Sequence, residues 1–215
     1  MKSFITSLAL TIAASAAFAA PATYTIDKDH SNVQFSVRHL MITDVSGRFK
    51  DFEGTFTFDG EKASVTDATF SADTASIDTS NAKRDDHLRS ADFFDAKKHP
   101  KLTLTNSKIA KTGKDTFKWN ADLTMHGVTK PVVFDLVHKG DIKDAWGNQR
   151  AGFHATGKVN RKDYGLTWNK ALEGGGVTVG DEVTITLDVS AIQKAAAPTG
   201  PAAAQAPAAA PSKKK

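Results

Sequence analysis

The chain has 215 residues and no cysteine, and 28 Lys and Arg against 24 Asp and Glu give it a formal charge of +4. The absence of thiols excludes disulfides, thiol chemistry and cysteine-ligated metal, so the folded part rests on a hydrophobic core alone. Lys2, Lys213, Lys214 and Lys215 carry the excess charge at the two ends, and the neutral middle argues against a nucleic-acid-binding surface.

Residues 1–19 read as a secretory signal. Lys2 supplies the charged start, the stretch from Phe4 to Phe18 the apolar core, and Ala17-Phe18-Ala19 the small-x-small pattern that predicts cleavage after Ala19. The run is too short and too broken by Ser and Thr to span a bilayer, so a soluble exported protein is predicted. Residues 20–194 then form one domain, long enough to bury roughly two-thirds of its unfolded surface. From Ala195 to Lys215 the chain reads AAAPTGPAAAQAPAAAPSKKK, a low-complexity stretch that predicts a disordered tail. Its three lysines suit a solubilising role or a weak, transient contact with anionic lipid.

After the opening YTIDKDH, eight strand candidates lie near 32–40, 48–58, 64–77, 101–109, 116–124, 131–139, 150–160 and 181–191. In the first, Val33, Phe35, Val37 and His39 alternate with Gln34, Ser36 and Arg38, the period of a strand with one dry face. That face ends on a histidine beside an arginine, which suits the wall of a pocket for a ligand with an apolar body and a polar end. Gly54, Phe56 and Phe58 share a face in the second strand. The third loses parity between Phe70 and Ile77, as a bulge or bend would produce.

The later strands alternate cleanly. Phe117, Trp119, Ala121 and Leu123 face one way, as do Val132, Phe134 and Leu136, then Phe153, Ala155 and Gly157, then Val183, Ile185, Leu187 and Val189. Asp59-Gly60, His126-Gly127 and Trp146-Gly147-Asn148 are among the turns between them. So many antiparallel strands, each with one dry face, must close on themselves or form a sandwich, and a barrel is the favoured arrangement. The fold class is therefore all-β, an extended eight-stranded antiparallel barrel with a short helical insertion. That insertion is placed after Ser90 as N-cap, with Asp92 in the first turn, Lys97 and Lys98 in the last, and Pro100 as the stop.

An eight-stranded bore is wide enough for its own side chains or for one small ligand. Gly54, Ala121, Ala155 and Gly157 are small inward residues that leave volume for a tunnel, unless neighbouring aromatic rings fill it. The chemistry-bearing residues point less clearly. None of the seven histidines forms a zinc-binding pair. The run Arg84-Asp85-Asp86-His87-Leu88-Arg89 suits either a cap on a polar ligand head or a self-satisfied ion network. No nucleophile elbow is present, Asp29-His30-Ser31 points its side chains in opposite directions, and Gly174–Gly176 lacks a P-loop ending. No catalytic residue, metal ligand or cofactor is predicted.

The stretches IDKDHSNVQFSVRHLMITDVSGRF, SIDTSNAKRDDHLRSADFFDAKKHP, ADLTMHGVTKPV, GFHATGKVNRKDYGLTW and GDEVTITLDV occur in order. Together they resemble the YceI-like family of exported polyisoprenoid-binding proteins, from about Tyr24 to Ile192. The resemblance implies a lipocalin-like barrel whose tunnel holds a long isoprenoid or related chain, a periplasmic location, and a homodimer. It implies a carrier or storage role for a polyprenyl lipid or an isoprenoid quinone. Carried onto this sequence, the lining falls to Phe35, Val37, Phe56, Phe94, Leu104, Phe134 and Phe153, with Ala155 inward by parity. Arg38, His39, Asp85, His87 and His126 fall in the matching stretches as candidates for the polar end. Two other readings stay open: an envelope enzyme acting on such a lipid through His39 or Asp85, and a structural envelope protein with a filled barrel.

Overall fold

A computed structural model describes residues 21–194 apart from 60, 61 and 63. The expected signal at 1–19 and the tail at 195–215 lie outside the described residues. Among the described residues eleven strands form one antiparallel sheet: β1 Ala22–Ile26, β2 Asn32–His39, β3 Thr43–Phe49, β4 Phe52–Asp59, β5 Ser64–Asp73, β6 Ile77–Asp78, β7 Lys101–Lys111, β8 Thr116–Met125, β9 Val128–Lys143, β10 Gln149–Asn160 and β11 Val179–Gln193.

The sheet closes. β1, β4, β5, β7, β8, β9, β10 and β11 follow one another around a ring, and β1 returns to β11 with Tyr24 opposite Gln193. The three remaining strands extend the ring lengthwise. β1 and β2 are two halves of one arm lying along β11, interrupted by the 3-10 turn Lys28–His30. β3 and β4 form the facing arm: β3 pairs with β2 and β4 with β1. β5 passes through the 3-10 turn Thr74–Ser76 into β6, which pairs with β3.

These interruptions explain the irregular parity. The bend expected between Phe70 and Ile77 is the 3-10 turn, and a separate bulge lies at Asp67, φ 52°, where the β4–β5 register shifts. The expected strand 48–58 is broken at Lys50 and Asp51, so that Phe49 and Phe56 both face inward although one is odd-numbered and the other even. Elsewhere the inward faces are those of the alternation: Phe117, Ala121, Leu123, Val132, Phe134, Leu136, Phe153, Ala155 and Leu187 are all buried.

The helix is not where apolar bulk placed it. α1 spans Ala82–Arg89, capped by the Asn81 side chain, which accepts the Arg84 N–H at 3.1 Å. Ser90, expected as an N-cap, instead closes the helix: its hydroxyl and its N–H both donate to the His87 carbonyl. Residues 90–99 continue as tight turns, with Asp95 at φ 44°. Asp side chains compete for backbone groups and favour such turns over helix, whereas the charged run before them needed only a cap. A carboxylate and two guanidiniums lock α1 to the barrel rim. Asp85 accepts from Thr79 N–H and hydroxyl at 2.8 and 2.5 Å. Arg84 donates to the Thr79 carbonyl at 2.7 Å, and Arg89 to those of Ala75 and Ile77.

Candidate functional site

Three voids follow one another along the barrel axis. At one end, between α1, the start of β11 and the end of β2, a cavity of about 170 Å³ is lined by Phe35, His39, Thr79, Arg84, His87 and Trp168 among others. Phe35, Val37, Leu88, Phe93 and Val179 are shared with a second cavity of about 120 Å³, walled further by Phe49, Phe94, Leu104 and Leu187. Phe70 and Leu187 are shared in turn with a third, of about 70 Å³, reached by Phe56, Trp119, Phe153 and Ala155. Beyond it an aromatic floor closes the far end: Phe58 lies 5.5 Å from Phe153 and 5.0 Å from His138.

The axis therefore runs from a mixed polar and aromatic mouth to a floor of Phe58, Phe153 and His138. At the mouth, His87 pairs with Asp92 at 2.9 Å and stands edge-on to Trp168 and Phe93. Arg161, 3% exposed, reaches the middle cavity's wall, where its guanidinium donates to the carbonyls of Leu166, Trp168, Val179 and Gly180. Burial pushes its pKa down, opposed by the Asp181 carboxylate 3.6 Å away. Deep in the bore the Trp119 indole N–H is buried without a hydrogen-bond partner among the described residues, an arrangement that costs free energy unless something else accepts it. Among the described residues no group of three or more His, Cys, Asp or Glu is placed to hold a metal ion.

The model of the YceI-like domain matches residues 24–191. The chain belongs to the YceI-like family. A UPF0312 protein of Pseudomonas putida (strain GB-1) is 40% identical over 193 residues, covering 88% of this chain and 96% of its own. The YceI-like barrel also superposes on a Campylobacter jejuni YceI protein with a TM-score of 0.65 at 33% identity, over 74% of this chain and 90% of that one. A polyisoprenoid binding domain from Saccharophagus degradans, implicated in plant cell wall breakdown, shares the fold with a TM-score of 0.59. It is 16% identical, over 80% of this chain and 99% of its own.

Of the sequence-derived candidates in this YceI-like chain, Phe35, Val37, Phe94 and Leu104 line the middle cavity, and Phe56, Phe153 and Ala155 the deep one. His39 and His87 lie at the mouth. The other four line none of these voids. Phe134 is fully buried against Trp119, ring centroids 5.0 Å apart, and occupies the space beside Gly157, where a Cβ would come within 2.6 Å of its ring. Arg38 points outward to Asp44 at 3.2 Å. Asp85 is spent on Thr79. His126 donates to the Tyr164 carbonyl at 3.1 Å and packs on His99.

Arg84, Trp168 and Arg161 were not singled out by sequence. Arg84 sat in the charged run, where two readings competed: Asp85, Arg84 and Arg89 are satisfied by Thr79, Ala75 and Ile77, as the network reading expects, and Arg84 and His87 also line the mouth cavity. Arg161 and Trp168 carry no periodic signal, because they lie in the 3-10 turn Arg161–Tyr164 and the loop after it.

Proposed function

We propose that this YceI-like chain is an exported periplasmic carrier or storage protein that holds a long isoprenoid chain, a polyprenyl lipid or an isoprenoid quinone, in the barrel bore. The observation that carries this reading is the axial run of three voids, polar at the mouth and apolar to the floor. Membership of the family and the polyisoprenoid-binding neighbour support it, and the signal-like first 19 residues support export.

The energetics favour a long apolar cargo. Each buried CH₂ contributes about 0.8 kcal/mol, so several isoprene units bind tightly with few hydrogen bonds. A dry cavity of about 150 Å³ takes a benzene-sized guest, so the voids of about 170 and 120 Å³ each match a fragment of such a chain, and the deep one of about 70 Å³ a smaller piece. A continuous chain requires Phe70 and Leu187, the shared walls, to turn aside. Native mass spectrometry on protein purified from its own envelope without detergent tests the reading. A stoichiometric isoprenoid adduct is the expected result; an empty protein that also refuses added isoprenoids would overturn it.

A further inference from the structure

At the mouth end, β2 and β3 are joined by Leu40, Met41 and Ile42, which are 38%, 54% and 80% exposed. The Ile42 N–H donates to the His39 carbonyl at 3.2 Å, and both residues inside that turn are left-handed, Leu40 at φ 51° and Met41 at φ 64°. Turns of this kind favour Asn and Gly, since a side chain crowds the backbone there. The β8–β9 turn obeys that preference at one of its two positions, His126 being followed by Gly127 at φ 77°. The β2–β3 turn does not. It holds bulky apolar side chains in strained positions, leaving Ile42 largely and Met41 about half in water, with Met41 resting beside Gly176, and a local rule broken for so small a packing return points to function.

We propose that this tip docks on a lipid bilayer, inserting Met41 and Ile42 at the interface and setting the mouth of the bore against the membrane. The tip hangs from the rim itself. His39, which precedes it, lines the mouth cavity, and so does Thr178, whose carbonyl accepts the Leu40 N–H at 2.8 Å. Three side chains at a hairpin end offer far less than the about 800 Å² per partner that a standard protein interface buries. A bilayer rewards each inserted methylene without requiring a complementary shape. Beside the tip, Arg38 and Asp44 pair at 3.2 Å and offset each other's charge. Insertion rather than attraction to anionic lipid therefore drives docking. The inference rests on the proposed lipid-carrying role, because it gives a lipid cargo a dry route between bore and membrane.

The test is flotation of the exported full chain with phosphatidylcholine vesicles, comparing the parent with a Met41→Ser, Ile42→Ser double variant. Partitioning is expected to fall about tenfold, with melting temperature little changed because Ile42 stands in water and Met41 covers no more than the Gly176 loop. Trp146→Ser is the control: Trp146 is 82% exposed, but on the β9–β10 hairpin at the far end. Unchanged partitioning of the double variant overturns the proposal, as does an equal drop with Trp146→Ser, which would mean adsorption without a docking face. A shift from dimer to monomer with vesicle binding intact also overturns it, assigning the tip to a second copy. Uptake of geraniol from solution separates the two readings. A protein that docks through the tip but takes up no prenol keeps the docking and loses the carrier role.

Discussion

His87 meets Trp168 edge-on at the mouth of the bore, ring centroids 4.8 Å apart and planes at 89°. Phe93 completes the group, 5.2 Å from Trp168, and lines both the mouth and the middle cavity. Three rings thus stand between the middle cavity, where the proposed cargo would lie, and the mouth. An edge-to-face pair is worth about 0.5–1.5 kcal/mol beyond its buried area, so Trp168→Ala is expected to speed cargo release roughly two- to tenfold. Stopped-flow transfer of a fluorescent prenyl chain from protein to vesicles measures it. An unchanged rate would deny the rings any part in retention.

Ala155 is 3% exposed and sits on β10 between Leu136 of β9 and Leu187 of β11. Its wall bounds the deep cavity of about 70 Å³, which a phenyl ring would fill. Ala155→Phe should fold, at a cost of about 1–3 kcal/mol for overpacking, and should lose long isoprenoids while keeping short prenols. Binding isotherms for prenols of increasing length decide this. If the longest still bind as in the parent, the cargo never reaches the third void.

Much of this was legible in the sequence because a period-2 pattern fixes which face of a strand is dry. The eight arms, their inward residues and the closure all follow from residues such as Val33, Phe117, Val132 and Phe153. Interruptions were less legible. A break of two residues at Lys50 and Asp51 reverses parity and brings Phe49 inward, and no local pattern announces it. The small residues misled in part. Gly54 and Gly157 face inward, but Ile26 and Phe134 take their space, with a Cβ on Gly54 coming within 2.7 Å of Ile26; of the four, Ala155 is the one that borders an axial void, and Gly54 borders a separate pocket between β4 and β5. Asp85 and His126 show why polar residues resist such reading. A polar side chain satisfied by backbone looks, in sequence, like one awaiting a ligand.

Arg161 ties the loop carrying Leu166 and Trp168 to the start of β11, through carbonyl acceptors on both sides. Replacing it with an apolar side chain leaves those buried carbonyls unanswered, while Asp181 keeps Lys162 at 2.8 Å. Arg161→Met is expected to destabilise the fold by about 3 kcal/mol and to loosen Trp168 over the mouth. Urea denaturation gives the first effect and Trp fluorescence polarisation the second. A variant as stable as the parent would show that water replaces the guanidinium at no cost.

Acid should loosen the far end first. Asp144 accepts from Arg150 Nε at 2.7 Å, from the Asn148 amide, and from the N–H groups of Trp146 and Asn148. The Arg150 hydrogen bond, foremost, holds its carboxyl well below the usual range. Arg150 also reaches Asp27 at 2.7 Å, fastening the β9–β10 turn to the end of β1. Burial alone would raise Asp27, but hydrogen bonds from Arg150, His30 and the Asp29 N–H bring it below its ordinary value. Both groups are depressed in the folded state, so the unfolded chain takes up protons first. Their contribution is fully present above about pH 4 and drains away as pH falls below it. Asp144→Asn removes the titrating group while keeping its shape. The variant should be less stable than the parent at about pH 7, and the gap should narrow towards about pH 2 as the parent's carboxyl protonates in the unfolded chain. Urea midpoints at the two pH values measure this, and a gap of constant size would mean that the charge of Asp144 does not fasten the turn.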